Sequence, residues 1–475
     1  MTRVVEAIKT LHELVSQPPV STLAAAFEKA GFEFALVGGP VRDAFLGRLV
    51  NDLDFTTSAR PDDIERVVSP LADAIWDVGR QFGTIAAKVN GLDIEITTFR
   101  ADSYDGETRK PTVEFGDTLE GDLHRRDFTM NAMALRIPDE VLVDPCGGLD
   151  DLLAGRLHTP SSPQVSFGDD PLRMLRAVRF VSQIGVGISE ETWEAMVEMA
   201  GKITNISQER IRDEVSRLLL TDKPRAGVDA LVRSGLAGYV LPELSALKDE
   251  KDEHGRHKDV YEHSLTVLDQ AIDLEKERWG LDSKNVVMRL AALLHDIGKP
   301  KTKRIEPGGK VSFHHHDVVG AKLAAKRLKE LRFDSDTINQ VAKLIELHLR
   351  FFGYSEQAWS DSAVRRYVRD AGPQLEHLHI LTRADVTTRN QKKAARLQTA
   401  YDDLEKRISE LREREQLDQI RPELDGEEIM AILDLSPGPK VGKAYRFLLE
   451  VRLDEGVIGP EEAADRLRQW WADQS

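Results

Sequence analysis

Strand-like alternation is confined to the first third of this chain, and that confinement limits the folds open to it more than any other feature. Short β-patterned runs occur at Phe34 to Val37, Asp52 to Phe55, Ile85 to Val89 and Ile94 to Phe99, with helical spacing between them at Pro40 to Leu46 and Pro61 to Val68. Two amphipathic helices, Val4 to Leu14 and Leu23 to Ala30, precede these runs, separated by the breaker pair Pro18-Pro19. The mixed pattern extends to about Cys146. From Pro171 the apolar spacing is near 3.6 and strand signals stop. Helices are predicted over Pro171 to Gln183, Glu190 to Ala200, Glu209 to Leu220, Ala226 to Ser234, Val260 to Glu277, Val286 to Leu294, Val318 to Leu331, Asp336 to Leu349 and Ala394 to Glu415. A smaller helical segment follows around Ile429 to Leu449. The chain therefore reads as α+β. An α/β head is predicted over 1–160, a helical neck over 161–250, a histidine-bearing helical domain over 251–390 and a helical tail over 391–475. The charged stretch Lys248 to Lys258 reads as a linker.

Composition narrows the function classes. With 41% hydrophobic and 31% charged residues, the chain has the balance of a folded protein rather than a disordered one. Its one cysteine, Cys146, can form neither an intrachain disulfide nor a thiolate zinc site, which fits a reducing cytoplasm. Met1 to Gly31 lacks the apolar core of a signal peptide, and no run reaches the roughly 18 apolar residues of a membrane span. The formal net charge of −16 argues against nucleic acid unless the basic groups are gathered in one place.

The head carries the first chemical signals. Gly38-Gly39 ends a predicted strand and opens a predicted helix, a turn that lets backbone N–H groups approach phosphate, with Arg42 one helical turn on. Asp52 and Asp54 stand two apart on a strand and share a face, offering hard oxygen ligands for Mg²⁺. Asp93 and Glu95 repeat the arrangement on the next strand, making Glu95 a candidate third carboxylate. Taken singly, a tight turn and a solvated strand face remain open readings.

Together the Gly-Gly-Pro-Val-Arg-Asp segment at 38–43 and the Asp-Leu-Asp at 52–54 resemble the polymerase-β-like nucleotidyltransferases of the class II CCA-adding and bacterial poly(A) polymerase family. Arg125-Arg126-Asp127-Phe128-Thr129-Met130-Asn131-Ala132 is similar to that family's RRDFTxNA motif. The resemblance implies phosphate contacts from Arg125 and Arg126, and a ribose 2′-OH contact at Asp127. Asp169 to Phe180 resembles the family's EDxxRxxRAxRF segment, with Asp169 where the family has Glu. By that likeness Asp170 and Arg173 would read the base of CTP or ATP, and Arg176 and Arg179 would reach the triphosphate or orient the reading pair. Asp before Pro171 is also a helix-capping signal, so one aspartate can cap while the other reads. Arg100 to His124, with Tyr104, Asp105 and Gly106, has the composition of a mobile loop. In the family an intact loop here accompanies the switch from C to A addition. Gln208 to Ile211 with Glu214 resembles the last, structural motif helix of the head.

In the third domain the order His263, His295-Asp296, Asp385 resembles the HD phosphohydrolases, with His316 and His348 where two-metal members place further ligands. Imidazole with carboxylate suits Mn²⁺, Ni²⁺, Fe²⁺ or Zn²⁺, and the resemblance implies a phosphodiesterase or phosphatase, or a degenerate domain that binds RNA. The segment Pro437 to Lys443 is similar to the tail of CCA-adding enzymes, with Lys440 and Lys443 near a helix start as candidate contacts to tRNA phosphate. The resemblance as a whole implies template-independent addition of C, C and A to tRNA from CTP and ATP with Mg²⁺. A poly(A) polymerase and a mainly hydrolytic HD protein are the rival readings, and the acidic balance predicts a confined positive strip for tRNA.

Overall fold

The computed structural model describes residues 2–48, 53–77, 79–101, 114–248, 250, 259–307, 309, 311–356, 359–388, 390–415 and 420–474. The chain divides into two compact units, the first comprising 1–221 with 226–239, the second 222–225 with 240–475. No helix among the described residues is long and apolar enough to cross a membrane.

The first unit is built on a sheet. Its strands are β1 (Phe34–Val37), β2 (Leu53–Thr57), β3 (Ala74–Trp76), β4 (Thr84–Val89), β5 (Leu92–Thr98), β6 (Arg100–Ala101), β7 (Glu114–Phe115), β8 (Ala134–Ile137) and β9 (Val141–Val143). Seven of them form one sheet in the order β3-β4-β5-β2-β1-β8-β9, and β6 pairs with β7 apart from it. Only β2 and β5 run parallel within the large sheet. Period-two alternation decides which face is which. Ile85 and Ala87 on β4 and Ile94 and Ile96 on β5 are buried, whereas Asp93 and Glu95 are exposed. Phe34 of β1 stacks at 4.5 Å on Phe27 from the helix Val20–Lys29 and at 4.6 Å on Phe55 of β2, so the apolar face is closed by the N-terminal helices. On the opposite face Ala35 and Val37 of β1 and Ala134 of β8 pack with Leu119 and Leu123, and the part over β2, β5 and β4 is left for chemistry.

Three strands escape the sequence pattern. β3 is three residues long, and β8 and β9 are short, mostly apolar strands of a hairpin with too few alternating positions to show a period. The expected loop over 100–124 is in part ordered. Arg100 pairs with Phe115 and Ala101 with Glu114, and Leu119–His124 is a helix capped by Thr118, whose hydroxyl accepts from Gly121 N at 3.2 Å. Buried Asp122 ties this segment down by accepting from Arg100 N at 3.2 Å. Tyr104, Asp105 and Gly106 lie outside the described residues, as does most of the expected linker. Strands also recur beyond Pro171, as the two-residue pieces Gly187–Ile188, Arg304–Ile305 and Val311–Ser312, too short to show a period.

The second unit is helical. Helices Val260–Trp279 and Val286–Leu294 are fastened by Arg289 and Glu275, an ion pair at 3.0 Å with both side chains 0% exposed. Glu275 also accepts from Asn285 N at 2.6 Å and Ser283 Oγ at 3.1 Å, so the buried charges are satisfied. The tail differs from the single segment expected: it contains helices Gly426–Leu433, Pro439–Glu455 and Pro460–Ala472. Proline at the first position of the last two ends each preceding loop, since its fixed φ suits a helix start. Ile429, Leu448 and Leu467 form their shared core, with Phe447 stacked on Trp470 at 4.7 Å.

Candidate functional site

On the polar face of the sheet lies a cavity of about 410 Å³. Its floor carries Asp54 and Glu95, which face each other directly in the parallel register of β2 and β5. Thr84 and Thr97 continue the floor, their hydroxyls 2.9 Å apart. Asp52 lies outside the described residues. Two adjoining carboxylates at a polar cavity fit a hard divalent cation.

The other wall is basic, built from Arg100, Arg125, Arg126, Arg173, Arg176 and Arg210. Arg176 donates to Asp127 from Nε at 2.7 Å and from Nη2 at 2.5 Å. Asp127 also accepts from Asn131 Nδ2 at 3.0 Å, and Asn131 Oδ1 accepts from Arg42 Nη1 at 2.6 Å. Burial pushes the Asp127 carboxyl up, but the Arg176 charge and the Asn131 amide outweigh it and hold it at about 2. Its folded value lies below the ordinary carboxylate value, so its contribution is present above about pH 4 and lost as pH falls toward 2. Asp127→Asn should therefore cost about 2 kcal/mol at pH 7 and show a correspondingly shallower loss of stability between pH 4 and 2. Urea melts of both proteins across that window check this, and parallel acid profiles would contradict it.

Arg173 donates to Arg125 O at 2.6 Å and Ser166 Oγ at 2.8 Å, and burial lowers its pKa. Asp170 accepts from Leu172 N at 3.2 Å and from Arg210 Nη2 at 2.8 Å. One aspartate thus both accepts from the first N–H of the helix Leu172–Ile184 and lines the cavity, while Asp169 ends the preceding helix. Sequence reading assigned these tasks to two aspartates. It also missed Arg210, whose segment read as structural, and Arg100 and Asp122, which sat in an expected loop. Their only signal was charge in a segment flanking the motifs.

Other expected phosphate contacts stand behind the wall. Arg42 is 5% exposed, held by Asp43 at 2.9 and 3.0 Å as well as by Asn131. Arg179 donates to buried Glu214 at 2.7 Å and lies 4.3 Å over the Phe180 ring. Gly38 donates its N–H to Met133 O at 3.1 Å rather than toward the cavity. Glycine is required there: φ is +74°, and a Cβ would stand 3.1 Å from Arg126 Nη1. Gly39 begins the helix Gly39–Phe45. Facing carboxylates and a wall of guanidinium groups can bind a polyphosphate with a divalent cation and support phosphoryl transfer by positioning and charge.

A second centre lies in the other unit. His263, His295 and Asp385 form one cluster of converging donor atoms, and Asp296, His316 and His348 another. His263 Nε2 is 2.9 Å from Asp385 Oδ1 and 3.3 Å from His295 Nε2, and His316 Nε2 is 3.3 Å from Asp296 Oδ1. Each ring is oriented from behind: Nδ1 faces Thr387 Oγ1 for His263, and Ala292, Phe313 and Ile345 carbonyls for His295, His316 and His348. That arrangement turns the four Nε2 atoms inward, as metal-ligating histidines are turned. Burial lowers His348 to about 4, whereas Asp296 and Asp385 overcome burial at His295 and raise it to about 9. Lys299 donates to Asp296 at 2.8 Å and compensates its charge. The donor set fits two cations. In the tail, Lys440 and Lys443 are exposed on the first turns of the helix Pro439–Glu455, with Lys440 Nζ 5.9 Å from the Trp471 ring.

The chain matches three family descriptions: "Poly A polymerase head domain" over residues 34–158, "Probable RNA and SrmB- binding site of polymerase A" over 185–248, and "HD domain" over 260–390. It is 34% identical to the A-adding tRNA nucleotidyltransferase of Deinococcus radiodurans over 92% of this chain and 95% of that protein. It is 30% identical to the CC-adding tRNA nucleotidyltransferase of Thermus thermophilus, over 92% of this chain and 93% of that protein. Among solved structures, the Bacillus stearothermophilus CCA-adding enzyme in complex with CTP is similar in fold, with a TM-score of 0.66 at 23% identity, covering 96% of this chain and 99% of that one. The Thermotoga maritima CCA-adding enzyme complexed with tRNA gives a TM-score of 0.60 at 17% identity, covering 96% of each chain.

Proposed function

Because the chain belongs to the tRNA nucleotidyltransferase family that joins a poly(A)-polymerase head to an HD domain, we infer that its head adds C, C and A to tRNA 3′ ends from CTP and ATP without a nucleic-acid template. One observation carries the reading: facing carboxylates, guanidinium groups and the Asp170–Arg173 pair line a single cavity. Asp52 and Asp54 with Glu95 would hold Mg²⁺, which when bound neutralises triphosphate charge and acidifies the attacking hydroxyl. Arg125, Arg126 and Arg176 would orient the triphosphate, with Asp127 fixing Arg176 and facing the ribose. Asp170 accepts and Arg173 donates, which is the complementarity a base edge needs. Arg42 and Arg179 act from behind, bracing Asn131 and Glu214.

The HD clusters would hold a pair of transition-metal ions such as Mn²⁺, Ni²⁺, Fe²⁺ or Zn²⁺ for phosphoester hydrolysis, and Lys440 and Lys443 would meet tRNA phosphate. We place domain boundaries near 160, 250 and 390, a division that the matched ranges 34–158, 185–248 and 260–390 support. A cytoplasmic setting suits the single thiol, which burial and then Asp144 push up to about 11.

The deciding assay extends tRNA that ends before CCA with CTP, ATP or both. Two added residues from CTP and three from the mixture are expected. Long tails from ATP alone would replace this reading with polyadenylation. A stop after two C residues, or A addition only to tRNA already ending in CC, would mark a partial specialist, as the two full-length relatives are named.

A further inference from the structure

We infer that Trp76 is a stacking platform for a nucleobase at the 3′ end of the RNA that receives the new nucleotide. The inference rests on reading Asp54 and Glu95 as the reacting centre.

Strand register puts Trp76 on that centre's face. Trp76 of β3 is opposite Ala86 of β4, Ala86 is opposite Glu95 of β5, and Glu95 is beside Asp54 of β2. The four side chains form one row across the sheet, with the indole at its outer end. At about 4.8 Å per strand, Trp76 stands about 10 Å from Glu95 and about 14 Å from Asp54, within reach of the terminal or penultimate nucleotide of a strand whose 3′-OH lies at the carboxylates. The ring is 44% exposed on an edge strand, where a large apolar side chain is a liability unless something covers it. Ala86 between the ring and Glu95 leaves space for a flat group.

Sheet order separates the two substrates. Arg126 lies against Gly38 at the end of β1, and Arg42, just after β1, is 5.4 Å from the ring of Phe180 on the helix bearing Arg173 and Arg176. Arg126 and the helix bearing Arg173 and Arg176 are thus on the β1 side of Asp54, and Arg100 is the member of the basic wall on the β4 side, which leaves the RNA a path past Glu95, over β4 and β3. Along that path Arg100 Nη2 donates to Thr84 Oγ1 at 3.1 Å, on the same face as Ala86, while its buried Nε has no hydrogen-bond partner. It supplies a cation for the strand's phosphate. A base stacked on an exposed aromatic beside a cation is how single strands are held without sequence readout.

Steady-state addition of C to tRNA lacking CCA, compared for wild type, Trp76→Ala, Trp76→Phe and Trp76→Leu, tests this. Trp76→Ala should raise KM for tRNA about 10-fold, leaving kcat and KM for CTP within about twofold. Trp76→Phe should restore most of the loss and Trp76→Leu should not, because leucine keeps apolar area without a π face. Thermal melts of the variants confirm folding. Unchanged KM for tRNA in Trp76→Ala, or rescue by leucine equal to that by phenylalanine, overturns the proposal. Absence of addition by the wild type overturns instead the reading of the site on which it rests.

Discussion

Asp54→Asn is expected to reduce nucleotide addition by about a thousandfold or more while leaving the melting temperature nearly unchanged. The side chain is half-buried on the cavity floor beside Glu95, and asparagine keeps its volume, so packing around Phe55 and Leu53 is conserved. What is lost is the negative charge that a divalent cation needs at the point of transfer. Metal-assisted charge stabilisation is worth several kcal/mol, and each 1.36 kcal/mol is tenfold in rate. Glu95→Gln should cost less, because Glu95 is more exposed and enters as the additional carboxylate. Incorporation of labelled CMP into tRNA, measured across a Mg²⁺ titration, checks both. Activity of Asp54→Asn within tenfold of wild type would remove Asp54 from the centre.

Asp296→Ala should weaken transition-metal binding in the helical unit by at least about 100-fold. Its carboxylate faces both clusters, with Oδ1 3.3 Å from His316 Nε2 and Oδ2 3.2 Å from His295 Nε2. Loss of an outer-sphere partner alone typically costs 10- to 100-fold in affinity, roughly, so loss of a shared inner carboxylate costs at least the upper end. Calorimetric titration with Mn²⁺ or Ni²⁺, and elemental analysis after dialysis, read this without relying on hydrolysis. Retained nucleotide addition reports that the variant is folded. Two equivalents of metal still bound at wild-type affinity would remove Asp296 from the ligand set.

The head motifs were legible because Arg125 to Asp127 and Asp170 to Arg176 are each contiguous in the chain. Asp54 and Glu95 were each readable as a strand residue with a buried apolar neighbour on either side, and the shared face followed from period two. That Glu95 would join the pair was an expectation from its strand alone, and which of Asp93 and Glu95 stands opposite Asp54 was set by the parallel β2–β5 register. The histidine order was readable, but the split into two clusters depends on how the ends of five helices meet. Arg42 illustrates the converse. An arginine one helical turn after a phosphate-type turn read as a phosphate contact, and packing holds it against Asp43 and Asn131. The tail helices were blurred into one because Pro439 and Pro460 begin helices rather than merely break them.

The sequence by itself determined the α-and-β division of the chain, which carboxylates share a strand face, and the order of the arginine and histidine motifs along it. These are local properties, fixed by side-chain periodicity and residue type within a few positions. Tertiary structure decided the rest: that Asp127 is spoken for by Arg176, that Arg210 and Arg100 join the cavity, and that Trp76 ends the row begun at Asp54. Those outcomes depend on strand order and on charge pairs closed between distant segments. There the cost of burying a charge, rather than any pattern in the chain, selects the partner.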